Sequence, residues 1–163
     1  MNKIYLPIFA ALVATIPQAA TAGTTSGTMA VAATVLEACT VVAAPMLFGN
    51  IAPGSGKVDT SAALTLACTP NADFDILLSG GTNPLAGQRR LASLGAGEFI
   101  PYDLYLDSNY SQPWGNTVGT NTKAGIASAL GSASYQVYGR IPANVIPVSA
   151  GTYSDTVTVT VNF

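Results

Sequence analysis

Residues 151–163 read GTYSDTVTVTVNF, a stretch in which apolar and polar side chains alternate. The first set is β-branched or aromatic and comprises Tyr153, Val157, Val159, Val161 and Phe163; the second is polar and comprises Thr156, Thr158, Thr160 and Asn162. Successive side chains of a strand point to opposite faces of its sheet, so this period of two predicts a half-buried β-strand over residues 152–163. The alternation continues to the last residue, which we therefore expect to lie within a sheet.

A second alternating stretch, residues 27–35 with the sequence GTMAVAATV, lies near the other end of the chain. Met29, Val31, Ala33 and Val35 share one face, and a slip of one residue would present Thr28, Ala30, Ala32 and Thr34 instead. A loose strand near the start and an alternating strand at the end suggest a subunit that joins other subunits by sharing strands.

The first 22 residues have the pattern of a secretion signal, and we exclude them from the fold. Lys3 provides the positive charge, residues 4–16 are mostly apolar, and Ala20-Thr21-Ala22 is a typical cleavage site. The apolar run of about 13 residues is too short to span a bilayer of roughly 30 Å. The alternative to a secretion signal is a buried N-terminal helix. We expect the exported chain to begin at Gly23.

The composition argues against a partner that is a nucleic acid. Without Lys3, five basic side chains stand against eight acidic ones, a net charge of −3, and the basic residues do not cluster beyond Arg89-Arg90. Binding to nucleic acid needs several side chains that neutralise phosphates. Hydrophobic residues make up 49% of the sequence, which suggests that part of the apolar surface is covered by a neighbour.

The two cysteines, Cys39 and Cys68, are predicted to form one disulfide, because an isolated pair in an exported protein usually does. Closing a loop of roughly 30 residues would stabilise the fold by about 3–4 kcal/mol. A metal site is not expected, since the sequence contains no histidine and two thiols cannot complete the tetrahedral shell of zinc.

Short strands separated by turns account for the rest of the chain, and we find no convincing helix. The predicted strands are residues 39–48, 57–69, 74–79, 89–94, 99–106, 135–141 and 152–163, with Gly- and Pro-rich sequences between them. Residues 116–134 are interpreted as a loop or a weakly paired edge. About seven short strands at this spacing predict an all-β, immunoglobulin-like sandwich.

The sequence contains few residues that could serve in catalysis. The absence of histidine removes the usual triads, and the carboxylate pair Asp73/Asp75 is expected on a solvated strand face. Asp107 is predicted to begin a turn by binding the local backbone. Trp114 with Tyr102, Tyr105 and Tyr110 could form a sugar-binding aromatic patch, although we favour packing at the ends of a hairpin. No cofactor or small-molecule substrate is expected.

Eight short sequences follow one another along the chain: LFGN at 47–50, LACT at 66–69, SGG at 79–81, RRL at 89–91, YDLYLD at 102–107, WG at 114–115, VYGRIP at 137–142 and GTYSDTV at 151–157. This ordered series resembles a known family, the spore coat protein U domain, which is also the pilin domain of archaic (Csu-type) chaperone–usher pili. It covers essentially the whole exported chain, and its order is more specific than any one of its parts.

The resemblance implies an incomplete immunoglobulin-like β-sandwich that lacks its last strand and is completed by a donor strand from a neighbouring subunit. In such pilins a periplasmic chaperone lends a strand until an outer-membrane usher replaces it with the N-terminal extension of the next subunit, which is β-augmentation. Residues 23–37 would then be the extension and residues 38–163 the pilin domain. Residues 27–36 would donate Met29, Val31, Ala33 and Val35 to the neighbour. Val157, Val159, Val161 and Phe163 would lie beside the groove and contact the chaperone.

The function expected from the resemblance is that of a structural pilus subunit on the cell surface, polymerised with copies of itself or other pilins, in adhesion and biofilm formation. A tip adhesin would need a second domain. The alternatives are a spore-coat or surface-layer protein, a secreted carbohydrate-binding module and, less favoured, a hydrolase.

Overall fold

The computed structural model of the chain describes residues 21–52, 54–95, 97–143 and 148–163. These residues belong to two units, which divide after Thr34. Residues 21–34 contain no regular secondary structure, and their side chains are exposed. The predicted secretion signal lies almost wholly outside the described residues. Within the described part of the chain, no helix has the length and apolar character that crossing a membrane requires.

The described part of the second unit contains nine strands. In chain order they are β1 (Cys39–Ala43), β2 (Val58–Cys68), β3 (Asp73–Leu78), β4 (Arg89–Ser93), β5 (Phe99–Tyr105), β6 (Lys123–Ile126), β7 (Ser132–Ile141), β8 (Tyr153–Ser154) and β9 (Val159–Asn162). Six of the seven predicted strands are found as β1–β5 and β7, with ends that differ by a few residues. The first strand ends early, at Ala43, because Pro45 has no N–H with which to continue the ladder.

The strands form two antiparallel sheets, one of six strands in the order β1-β2-β7-β5-β4-β8 and one of three in the order β6-β3-β9. The longest pairing joins β2 to β7 and runs from Val58↔Ile141 to Ala67↔Ser132. Strand β1 lies at one edge of the larger sheet and β9 at one edge of the smaller sheet. The arrangement is an all-β, immunoglobulin-like sandwich, as the sequence predicts.

The core lies between the two sheets and follows from the alternation in β2 and β3. Leu64 and Leu66 of β2 and Ile76 of β3 are completely buried, and Leu78 of β3 is 2% exposed, while the residues between them face outward. Ile141 of β7 and Trp114 close the same cluster. Full burial of a side chain of this size stabilises the fold by roughly 1.5–3 kcal/mol, so these residues supply much of the free energy of folding.

The predicted continuous strand over residues 152–163 is wrong, because the segment divides into β8 and β9. Strand β8 pairs with β4 in the larger sheet, and β9 pairs with β3 in the smaller one, so residues 155–158 pass between the sheets. Ser79 anchors this passage, since its N–H donates to the Thr158 carbonyl at 2.9 Å and its hydroxyl accepts the Thr158 N–H at 2.9 Å. Alternation predicts which side chains turn inward, but it does not reveal a change of sheet.

The stretch interpreted as a loop or weakly paired edge, residues 116–134, contains the short strand β6 at the free edge of the smaller sheet, and its last three residues begin β7. Strand β6 pairs with β3 from Asp73↔Ile126 to Ile76↔Lys123. The prediction of a weakly paired edge therefore applies to the four residues of β6. The predicted turn at Asp107 is also confirmed, because Oδ1 of Asp107 accepts the N–H groups of Ser111 at 3.0 Å and Gln112 at 2.8 Å.

The predicted disulfide is confirmed: Cys39 and Cys68 are bonded, with an S–S distance of 2.08 Å. The two residues are directly opposite each other in the β1–β2 ladder. The bond therefore fixes the first residue of an edge strand to the last residue of the long strand beside it.

Candidate functional site

An apolar groove of about 300 Å³ opens between the two sheets beside β1 and β9. The lining comes from the segment that includes and follows β1, from the inner faces of both sheets, and from the passage between β8 and β9. It consists of Ala43, Ala44, Pro45, Met46, Phe48, Ala62, Ala63, Leu64, Leu78, Leu91, Tyr102, Leu104, Val137, Asp155, Thr156, Val157 and Val159. Nearly all of these side chains are apolar, so the groove exposes a part of the core that a complete sandwich would cover.

The two strands that flank the groove each have an unpaired edge. Among the described residues, β1 is hydrogen bonded only to β2, and β9 only to β3. Cα atoms of β1 and β9 approach within 8 Å, but the strands do not pair with each other. Unpaired N–H and C=O groups along a strand are a template for pairing with another chain. The groove therefore combines an apolar floor with backbone groups that can hold an additional strand.

The floor of the groove depends on a glycine that the sequence analysis missed. A side chain at Gly139 of β7 would meet the sulfur of Met46 and the ring of Phe48. Because Gly139 has none, Met46 and Phe48 can lie against β7, and the ring of Phe48 meets that of Tyr102 edge-on at 5.9 Å. The only signal in the sequence is a glycine inside a strand pattern, which often marks a close approach.

One wall of the groove is held by the carboxylate of Asp155. Its Oδ2 accepts the Tyr102 hydroxyl at 2.7 Å, and its Oδ1 accepts the N–H of Thr82 at 2.8 Å and the Thr82 hydroxyl at 2.6 Å. Burial by itself would raise the pKa of Asp155, but the hydrogen bonds from Thr82, Tyr102 and Thr156 outweigh it and lower the pKa below its usual value. Burial and the bond to Asp155 together raise the pKa of Tyr102 well above its usual value, so its hydroxyl remains a donor.

The predicted groove residues of the terminal segment are only partly brought to the groove. Val157 and Val159 line it. Val161 packs partly buried against the core, opposite Ile76 of β3. Phe163 is 55% exposed and is not among the lining residues.

The four residues predicted to enter a neighbour, Met29, Val31, Ala33 and Val35, are exposed. Met29 and Val31 are each 86% exposed and Val35 is 82% exposed. Apolar side chains stabilise a protein only when they are removed from water. The segment therefore carries exposed apolar surface in a strand-like alternation.

An immunoglobulin-like sandwich with an apolar groove between two unpaired edge strands defines a class of protein that can accept a strand from outside. Comparisons with known proteins give the family. The family model described as Spore Coat Protein U domain matches residues 25–160, so the chain belongs to that family.

Two relatives illustrate the match. Protein U of Myxococcus xanthus is 33% identical over 108 residues, which are 62% of this chain and 58% of that protein. The fold is also similar, with a TM-score of 0.59 and 25% identity, to a chain of the CsuC–CsuE chaperone–tip adhesion subunit pre-assembly complex from archaic chaperone-usher Csu pili of Acinetobacter baumannii. That match covers 80% of this chain and 41% of the other. The chain thus spans less than two thirds of each relative.

Proposed function

We propose that this chain is a structural subunit of an extracellular pilus, in which residues 27–36 of one subunit fill the apolar groove of the next. The observation that carries the proposal is the groove itself, with its apolar lining and the free edges of β1 and β9 beside it. The exposed alternating segment at residues 27–36 has the complementary pattern. A groove and a matching strand on the same chain allow identical subunits to join head to tail.

The donor strand would be held in two ways. The edges of β1 and β9 would bind its backbone, while Met29, Val31, Ala33 and Val35 would point into the groove. Burial of each of the three larger side chains would contribute roughly 1.5–3 kcal/mol. Ala33 is smaller than its neighbours in this pattern, so it would leave part of the groove underfilled. We expect Ala33→Val to tighten the link.

Assembly would need partners that protect the open groove. We propose a periplasmic chaperone that lends a strand to the groove and an outer-membrane usher at which the donor segment of the next subunit replaces it. The likeness to a chain of a chaperone–subunit complex supports this route. The chain would cross the periplasm after removal of residues 1–22 and reach the cell surface, where the fibre would serve adhesion and biofilm formation. In this role the chain is structural and not an enzyme.

The name of the family supports a second candidate, a coat protein that uses the same domain. A coat protein could share strands between subunits without a chaperone or an usher. Genes for a periplasmic chaperone and an usher barrel next to this one would favour the pilus, and their absence would favour the coat.

The proposal is tested by a chain that carries its own donor strand. A copy of residues 27–36 is fused after Phe163 through a short flexible linker. We expect a monomer that folds without a chaperone and unfolds at clearly higher urea concentration than the unfused chain, with a gain of roughly 4.5–9 kcal/mol from the three larger side chains. Deleting residues 23–36 from the unfused chain should leave chaperone binding at one to one and abolish its ability to act as a donor.

A matched pair of variants separates strand insertion from a general effect of the added sequence. Val31→Asp within the fused copy should remove most of the gain, because a charge would enter an apolar groove. Ala32→Asp, on the opposite face of the same strand, should keep most of it. The proposal is wrong if the unfused chain is already a stable monomer and the fused copy adds nothing.

A further inference from the structure

Three tyrosines and one arginine come together on the outer face of the six-stranded sheet. We call Tyr105, Tyr110, Tyr138 and Arg140 the tyrosine platform. Their neighbours along the strands, Leu104 on β5 and the residues on either side of Tyr138 on β7, are buried, so the platform residues on these strands face outward. The sequence analysis left a sugar-binding patch of Trp114, Tyr102, Tyr105 and Tyr110 as an alternative. That alternative is wrong for two of the four residues, because Trp114 and Tyr102 are 1% and 3% exposed and belong to the core.

The register of the sheet places the platform residues in two neighbouring rows. Tyr138 on β7 is opposite Tyr105 on β5, and two residues along β7 Arg140 is opposite Asp103 on β5. Tyr110 extends from the following loop over both rows. Its ring meets Tyr105 at 5.5 Å and Tyr138 at 6.2 Å, both nearly perpendicular, and the Arg140 guanidinium lies 3.7 Å from its centre.

The backbone at Tyr110 is held in a conformation that a tyrosine rarely adopts. Its φ is 57°, in the left-handed region that costs a residue other than glycine on the order of 1 kcal/mol. Asp107 holds the loop in place, because its carboxylate accepts the N–H groups of Ser111 and Gln112 and the Ser111 hydroxyl. Backbone strain that is supported in this way is often found at functional sites.

The charges around the platform do not favour an anionic partner. Arg140 donates from Nε to Asp59 Oδ1 at 2.6 Å and from Nη2 to Asp59 Oδ2 at 2.8 Å, so its charge is already neutralised. Asp103, the residue opposite Arg140 on β5, adds a further negative charge. The carboxylates of Asp59, Asp103 and Asp107 all act on Tyr105 and outnumber the nearby cations, Arg140 and Lys57, so the local charge would repel phosphates and acidic polymers.

The polar groups of the platform remain available. Among the described residues, the hydroxyls of Tyr102 and Tyr153 donate to carboxylates of the fold, whereas those of Tyr105, Tyr110 and Tyr138 bond to no protein group. Outside residues 27–36, the aliphatic side chains that are most exposed lie elsewhere, on β1, on β6 and in loops; they are Val42, Leu47, Leu85, Leu94, Val118, Ile126 and Leu130. The platform is thus aromatic and polar, without the aliphatic centre that is typical of a protein interface.

We propose that the tyrosine platform binds a neutral polysaccharide chain. The apolar faces of sugar rings pack on aromatic rings, and their hydroxyls exchange hydrogen bonds with phenols and carboxylates. An open sheet face suits an extended polymer better than a small molecule, which needs an enclosed pocket. The platform lies on the outer face of the sheet and the groove lies between the sheets, so this binding does not depend on the proposed assembly. In a fibre, repeated platforms would add avidity.

The test measures depletion of the full-length exported chain from solution by insoluble cellulose and chitin, with soluble oligosaccharides of each as competitors. The key variant combines Tyr110→Gly, which removes the ring and suits the left-handed backbone, with Tyr138→Ser. Loss of two rings should weaken binding by about tenfold or more. Changing all three tyrosines to Phe, which keeps the rings and removes the hydroxyls, should weaken binding less.

The matched control is Gln136→Ala, two residues before Tyr138 on the same face of β7, and it should bind as the wild type does. Thermal unfolding of each variant verifies that the fold is kept. Equal binding by the wild type and the double variant would overturn the proposal. The proposal would also be overturned if the double variant lost self-association, measured by light scattering, while its polysaccharide binding stayed unchanged. The platform would then be a protein interface.

Discussion

At the scale of single residues, Arg89 is a buried cation whose loss we expect to destabilise the fold strongly. It is 7% exposed and donates to the carbonyls of Ser79 at 2.8 Å, Leu78 at 3.1 Å and Trp114 at 2.8 Å. Burial lowers the pKa of its guanidinium, while the nearby Tyr102, Asp103 and Asp155 act against this. Arg89 therefore joins β4 to the end of β3 and to the loop after β5.

Arg89→Met should reduce the free energy of unfolding by about 3 kcal/mol or more, because three buried carbonyls lose a charged donor. Urea denaturation of the chain fused to its donor copy measures the effect. Arg90→Met is the control, since Arg90 donates to one carbonyl, that of Asn83, and packs on the Phe99 ring near the surface. We expect about 1 kcal/mol or less there. Equal losses would show that Arg89 does not have this structural role.

Asp155 should make the stability of the fold depend on pH in the acid range. Its pKa is lowered in the folded chain, so the unfolded chain takes up a proton first as the pH falls. The contribution of Asp155 is complete above its ordinary pKa, near 4, and is lost as the pH falls through the lowered folded value. In urea titrations between pH 7 and pH 2, Asp155→Asn should show a shallower acid decline than the wild type. An unchanged slope would contradict the prediction.

At the scale of secondary-structure elements, β9 presents different faces to the groove and to solvent. Val159 lines the groove, whereas Thr160, its neighbour along the strand, is exposed. Val159→Asp would place an unpaired carboxylate against the core, which costs several kcal/mol. We expect this variant to be degraded in the periplasm and Thr160→Asp to accumulate normally, as judged by immunoblots of periplasmic extracts. Equal accumulation of the two would mean that this face of β9 is not part of the core.

The disulfide should matter most for β1, because this edge strand is paired on one side only among the described residues. Replacing both Cys39 and Cys68 by Ser avoids a free thiol and should lower the free energy of unfolding by about 3–4 kcal/mol on the chain-entropy estimate. Urea denaturation and the yield from the periplasm measure the loss. Reduction of the wild-type chain should give a similar shift, and a chain that keeps its full stability when reduced would contradict this estimate.

At the scale of the whole molecule, local stability should follow the position of each strand in its sheet. Strands β2 and β7 are long, paired on both sides and central, and their amides should exchange with solvent most slowly. Amides of β1 and β9 should exchange faster in the open chain. Filling the groove with the fused donor copy should slow β1 and β9 much more than the opposite edge strand β6. Hydrogen exchange followed by mass spectrometry measures this, and uniform slowing would argue against strand insertion.

Much of this molecule could be predicted from its residues because the relevant signals are local. Alternation in the terminal segment predicted which side chains of β9 turn inward, Gly- and Pro-rich sequences indicated the turns, and two cysteines in a chain predicted to be exported indicated the Cys39–Cys68 bond. The ordered short sequences gave the family. Each of these properties depends on neighbours in the chain or on residue types alone, so no knowledge of the strand order was needed.

The groove and the tyrosine platform depend instead on residues that are far apart in the chain. Ala43, Leu91 and Val157 line one groove only because of the order of the strands, and Tyr105 meets Tyr138 only through the β5–β7 register. The passage between β8 and β9 is likewise set by contacts of Asp155 and Thr158 with Thr82, Tyr102 and Ser79. Alternation fixes which way a side chain points, but long-range pairing determines what it faces, and only the folded chain contains that information.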